Sequence, residues 1–322
     1  MTKNNLKIKA PNRFFTRRAF SKLFTVTVCA SVFLLSLFAS ERLSHSVRSA
    51  LSLCSNVIIP SVFPFMVISD FLYAYTSFSS SGFFGDAFER IFRINRMGMY
   101  PFVLGMLCGF PLGVKCASEL YRSGMLSKDE AERIIGFCNN TGPAFLVSGV
   151  GLGLRGSIKD GILLYLVMMI SALFVGMIFS IGHSLEKTSC EIPEKAICFS
   201  FTDSIKNAGI NTLNICSYLT FFACIVGMLR SAMGENHLYL SLISFLEVGS
   251  ATSILSKTKL LSSNISLTLS SFAVGFSGMS VHLQAISFIK DTDLGLKRYF
   301  VMKLLQGVIS ALIVYFLSIV VS

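Results

Sequence analysis

Three places in this chain set groups able to bind or carry charge inside otherwise apolar runs. The first is Gly109-Phe-Pro-Leu-Gly-Val-Lys115. Pro111 removes a backbone donor and the two glycines permit a turn, so a helix should break there. A lysine in an apolar segment is expensive to hold, and beside a helix break Lys115 could neutralise an anionic substrate. It could equally snorkel, or pair with Glu119 one turn later.

The second place is Asn139-Asn140-Thr141-Gly142-Pro143. Two amides, a hydroxyl and a Gly-Pro break form a polar centre flanked by apolar helix. A half-helix starting at Pro143 would aim its N-terminal N–H groups at a ligand. The competing reading is a proline kink whose amides hold neighbouring helices together.

The third place combines Glu247, within Phe245-Leu-Glu-Val-Gly-Ser-Ala251, with Ser277, Gly278, Ser280, His282 and Gln284. An acid in an uncharged apolar segment should face a cavity or a partner, where it could carry a coupling proton or bind a cation such as sodium. A purely structural hydrogen-bonding acid would look the same. His282 reads more simply as a satisfied histidine between helices than as a relay.

Nothing points to catalysis. There is no GxxxxGK[ST], HExxH or GxSxG sequence, and four histidines are too sparse for a metal site. The nine cysteines lie mostly within apolar runs and include no CxxC, so packing is their simplest role. No enzymatic activity and no cofactor are expected.

The elements that hold these groups follow from composition. Of 322 residues, 53% are hydrophobic and 14% charged, with mean hydropathy +0.68. A soluble domain carries about 25% charged residues, so a water-soluble enzyme is excluded. At about 20 residues per span, the chain reads as an all-α, polytopic membrane bundle of about eight or nine hydrophobic segments, some broken or re-entrant. A first helix is expected at 23–40, with further spans near 50–74, 99–118, 134–154, 161–182, 207–229, 238–255, 265–289 and 299–321. Residues 41–322 then form one membrane domain.

The net charge of +11 does not indicate nucleic acid. Seven of the 28 basic residues lie in positions 1–22 without an acid among them. Such a tail before an apolar segment places the N-terminus in the cytoplasm. If every segment crosses, the remaining basic residues divide almost evenly between the two sides, and the parity of the later segments stays open. Residues 83–96 pattern as an amphipathic helix in the membrane interface.

An internal repeat is also visible. Val47-Arg48-Ser49-Ala50, Asn56-Val57 and Phe63 match Ile205-Lys206-Asn207-Ala208, Asn214-Ile215 and Phe221 at one offset, and Gly109-Phe110-Pro111-Leu112-Gly113 resembles Gly275-Phe276-Ser277-Gly278. The matches suggest two repeats, about 45–182 and 203–322. Duplicated halves recur in secondary transporters, whose sites lie at broken helices between the halves.

The runs 109–151, 245–255 and 271–289 together resemble the YlbJ-type sporulation integral membrane proteins of the nucleoside-recognition or Gate group. The most specific pieces are G-x-P-x-G-x-K, N-N-T-G-P, and G-x-S-x-x-x-Q read from Gly278, Ser280 and Gln284. The resemblance implies a fold similar to concentrative nucleoside transporters and movement of dipicolinate across the membrane surrounding the developing spore. By that analogy Asn139, Asn140 and Thr141 match the hairpin-tip motif and Glu247 with Ser277–Ser280 the opposed half, to which the residue reading adds Lys115, Pro143 and Gln284.

The expected protein is therefore a transporter of a small organic anion in the cell or forespore membrane of a spore-forming bacterium. A second copy of the chain or other sporulation membrane proteins are its expected partners, besides the lipid bilayer. The alternative is a non-transporting scaffold or sensor for spore-envelope assembly.

Overall fold

A computed structural model describes residues 40–75, 83–184 and 201–321. The basic tail 1–22 and all but the last residue of the expected first span lie outside them. Every regular element among the described residues is helical.

Helix α1 (Ser40–Leu53) runs through a wide turn, Cys54–Ile58, into α2 (Ile59–Tyr75). Then follow α3 (Phe83–Phe92), α4 (Met99–Leu107), α5 (Leu112–Arg122) and α6 (Lys128–Cys138). A wide π-helical segment, Ala144–Leu154, leads to α7 (Ile158–Ile178). The second part holds α8 (Phe201–Met233), α9 (His237–Leu246), α10 (Val248–Lys257), α11 (Ser263–Phe276), α12 (Gly278–Ile289) and α13 (Leu296–Val321).

Four stretches are long and apolar enough to cross a membrane: Ile158–Ile178, Phe201–Met233, Ser263–Ile289 and Leu296–Val320. A bent pair, Leu43–Ile58 with Val62–Ile68, would be a fifth. Three of the expected segments, 99–118, 134–154 and 238–255, are broken pairs, with breaks at the interruptions expected within 109–113 and 139–143 and a third at Glu247. Each half has 9 to 11 residues, about 15 Å of helix against a hydrocarbon core of about 30 Å.

Local chemistry sets these ends. Ser127 and Glu130 form a reciprocal capping box that starts α6. Ser157 starts α7, Asn236 starts α9 and Ser262 starts α11, each accepting from a backbone N–H of the first turn.

The long helices turn apolar residues outward. On α7, Ile162, Leu166, Ile170 and Phe174 recur every four residues and are exposed. On α13, Val301, Leu304, Val308 and Leu312 are exposed while Lys303, Gln306 and Ser310 are fully buried. A helix with its polar face inward and its apolar face outward suits lipid rather than water.

Polar contacts gather at two ends. At one end, Asp129 accepts from Arg133 at 2.8 Å and from Arg298 at 2.6 Å. Buried Arg133 also donates to Phe92 O and Arg93 O, which fastens the end of α3. Glu130 accepts from Asn95 N, and Arg122 reaches Phe288 O. Basic residues that full crossing of every segment would set on opposite sides, Arg93 and Arg298 against Arg122 and Arg133, therefore share one end. The α4–α5 pair enters and leaves at that end.

At the other end, Arg155 pairs with Asp160 and donates to Ser266, and Arg230 pairs with Glu235. Arg230, Glu235 and Lys257 line one cavity there, so the α9–α10 pair returns to its own starting end. Helix α3 is only partly amphipathic in the expected sense: Phe88 and Phe92 pack against Phe102, while Phe84 and Ile91 are exposed.

Candidate binding site between the broken helices

The four breaks meet in two crossings. In the first, the α4–α5 break meets the break after α6. Gly109 has φ 86°, and a Cβ there would stand 2.6 Å from Gly142 N. A Cβ on Gly105 would stand 1.8 Å from Cys138 O, and one on Gly113 2.6 Å from the same atom. Three glycines thus let the hairpin close around the C-terminal end of α6. Pro111 precedes α5 after a cis peptide bond.

In the second crossing, the α9–α10 break at Glu247 meets the α11–α12 break at Ser277-Gly278. Ser277 and Gly278 are both left-handed, with φ 75° and 73°. A Cβ on Gly278 would lie 3.1 Å from Leu246 O and 3.2 Å from the Glu247 backbone. Glu247 caps α10: its carboxylate accepts from Gly249 N at 2.8 Å and from Ser250 N. The acid is buried and fully engaged at the positive end of a half-helix.

Helix α13 passes the first crossing with Tyr299, Lys303, Gln306 and Ser310 on one inward face. The Lys303 ammonium donates to Asn139 O at 2.8 Å, Gln306 Oε1 at 2.8 Å and Asn140 Oδ1 at 3.4 Å. It joins no ion pair among the described residues. The Tyr299 hydroxyl accepts from Asn139 Nδ2 at 2.8 Å and lies 2.8 Å from His282 Nδ1. A tyrosine from the last helix therefore ties the N-N-T-G-P break to α12.

Buried polar atoms without a partner among the described residues include Asn139 Oδ1, Thr141 Oγ1, His282 Nε2 and Gln284 Oε1. Buried polar groups are ordinarily satisfied, so such a set marks a place for a ligand or water. Gln284 also donates to Ser280 at 3.5 Å.

Among the residues expected at a site, Asn139, Asn140, Thr141, Ser277, Gly278, Ser280, Gln284 and Glu247 are all buried at the two crossings. Pro143 opens the π-helical segment and is partly exposed. Lys115 is partly exposed too, its N–H bonded to Pro111 O. The fully buried cation of the crossing is Lys303. Sequence reasoning missed Tyr299, Lys303 and Gln306, although Lys303, a charged residue within an apolar run, was the same kind of signal that singled out Glu247.

At the end lined by Arg48, Arg230 and Lys257 an open cavity of about 800 Å³ faces outward, with Asn56, Ser250 and Gly149 also in its wall. At the opposite end, outside the apolar segments, Asp293 accepts from Tyr121 at 2.5 Å and Lys128 at 2.9 Å. Those two bonds hold its carboxyl below the ordinary range.

Comparison with known proteins gives one clear relative. The chain is 27% identical over 315 aligned residues to the sporulation integral membrane protein YlbJ of Bacillus subtilis (strain 168), covering 84% of this chain and 76% of that one. No family model matches the chain. No solved structure matches it. The likeness extends over most of both chains and agrees with the all-helical, lipid-facing architecture: the chain is similar to the YlbJ-type sporulation integral membrane proteins.

Proposed function

We propose that this protein is a secondary transporter of a small organic anion, with dipicolinate as its cargo during endospore formation. The observation that carries the reading is the first crossing. A buried lysine without an ion pair stands beside buried polar atoms without partners, where two broken helices meet. A small dianion nearby would offset the uncompensated ammonium charge and accept from the Thr141 hydroxyl, and half-helix N-termini favour it.

The order of elements supports a transporter built from two repeats. Apart from α3, which has no counterpart, a long or bent helix, a hairpin, a broken helix and a long helix occur in α1–α7 and again in α8–α13. Arg48 of α1 lines one cavity with Arg230 at the far end of α8, so the second set starts from the opposite end. That is the inverted arrangement of many secondary transporters, with the site between the halves. It also fits the Gate-type likeness to nucleoside transporters, whose neutral substrates would suit this positive site less well.

The test is uptake of labelled dipicolinate into liposomes containing the purified protein, with nucleosides as competitors. Saturable uptake, lost in Asn140→Ala and insensitive to nucleosides, is expected. No uptake under any imposed proton or sodium gradient, from protein shown to be folded, would sink the proposal.

One observation favours a scaffold in spore-envelope assembly instead: Glu247 has both carboxylate oxygens committed to a helix cap. On that reading Lys115→Ala and Glu247→Gln lower protein abundance. On the transport reading Lys115→Ala accumulates normally.

A further inference from the structure

The Lys303 ammonium is held in the way a free alkali ion would be held. Its three neighbours are oxygens, and none carries a full charge: a main-chain carbonyl and two side-chain amides. The carbonyl, Asn139 O, is free because α6 ends at Cys138, and it lies at the negative end of that half-helix.

The two amides are fixed in position. Asn140 Nδ2 donates to Phe137 O at 2.6 Å, and Gln306 Nε2 donates to Asn140 Oδ1 at 2.8 Å and to Met168 O at 3.3 Å. With their N–H groups occupied, both amide oxygens are left facing the ammonium.

No carboxylate is available to this place. The fully buried acids among the described residues are Glu130 and Glu247. Glu130 serves Asn95 N and Ser127 N, and Glu247 caps α10. A divalent site would demand carboxylates. An all-neutral oxygen set at an unwound helix end is instead the chemistry that membrane transporters offer to a monovalent cation.

We propose that Lys303 is the tethered occupant of a monovalent-cation site. The chain carries its own cation between α6, α7 and α13, needs no bound sodium to hold the first crossing closed, and would accept sodium or lithium there only when the ammonium is removed. The site itself does not depend on the transport reading. Its consequence for coupling does: anion uptake would be independent of sodium.

Thermal unfolding of the purified full chain, followed with a thiol-reactive dye because tryptophan is absent and Cys54, Cys116 and Cys138 are buried, tests the site without any flux. Wild type should unfold at the same temperature in lithium, sodium, potassium or choline chloride at matched ionic strength. Lys303→Ala should be less stable in choline and regain about 5 °C or more, saturably, in sodium or lithium.

A saturable sodium-dependent rise in wild type would overturn the proposal, as would a folded Lys303→Ala protein indifferent to every alkali ion. Should Lys303→Ala not be recovered in any salt, bound radioactive sodium measured on wild type decides: none supports the tethered cation and stoichiometric binding refutes it. Unchanged dipicolinate uptake after sodium is replaced by choline then extends the result to coupling. Absent uptake would instead count against transport and leave the site standing.

Discussion

The two crossings solve one physical problem with opposite charges. At the first, a half-helix ends and exposes carbonyls, and a lysine from α13, 164 residues away, donates to Asn139 O. At the second, a half-helix begins and exposes N–H groups, and Glu247, immediately before it, accepts from them. Cation at a C-terminus and anion at an N-terminus are the arrangements a helix dipole favours. One neutraliser is remote and joins separate parts of the fold. The other is local and secures only its own helix.

That difference predicts unequal costs. The largest effect should come from the backbone contact beneath the first crossing. A methyl group at Gly105 would lie 1.8 Å from Cys138 O, and the neighbour is main chain on both sides of it. Gly105→Ala should cost about 3 kcal/mol or more, seen as loss of detergent-stable protein. Near-normal stability would mean the hairpin does not clasp α6 this closely.

Next come the neutralisers themselves. Lys303→Met leaves Asn139 O and Gln306 Oε1 buried without a donor, at about 2–3 kcal/mol in thermal or denaturant unfolding without added sodium or lithium. Glu247→Gln keeps one acceptor for the cap and should cost about 1 kcal/mol. Equal losses from the two substitutions would erase the distinction between a remote and a local neutraliser.

Tyr299→Phe sharpens the same point. It removes the hydroxyl shared by Asn139 and His282, with an expected cost of about 1–2 kcal/mol. Combined with His282→Phe in a double-mutant cycle, it should be non-additive, because both changes cut one link. Additivity would show that the first crossing and α12 are not coupled through Tyr299.

Legibility in the sequence follows the same division. Each break announces itself locally, through Gly109 and Pro111, Asn139 to Pro143, Glu247, and Ser277-Gly278. The membrane class follows from low charge and long apolar runs. Two things were not legible. Whether a segment of about 20 apolar residues crosses or turns back depends on contacts such as Arg122 with Phe288 O and Arg133 with Phe92 O, which join positions 166 and 41 residues apart. The identity of the buried cation depends on which face of α13 points inward. Lys115 sits beside its break in sequence, yet Lys303 reaches the neighbouring break in space.

The smallest effect is expected at the polar end, where Tyr121 and Lys128 of the first part meet Asp293 of the second. Asp293 is exposed, so its contacts are screened and modest. Its carboxyl lies below the ordinary value because Tyr121 and then Lys128 hydrogen-bond the charged form. A group whose folded pKa is lowered adds stability that is complete above the ordinary carboxylate range and is lost as pH falls through the lowered value. Asp293→Asn should therefore lower the unfolding temperature slightly at neutral pH, less so in high salt, and not at all once the wild-type carboxyl is protonated. A difference that persists unchanged under acid conditions would mean that Asp293 acts through packing rather than through its charge.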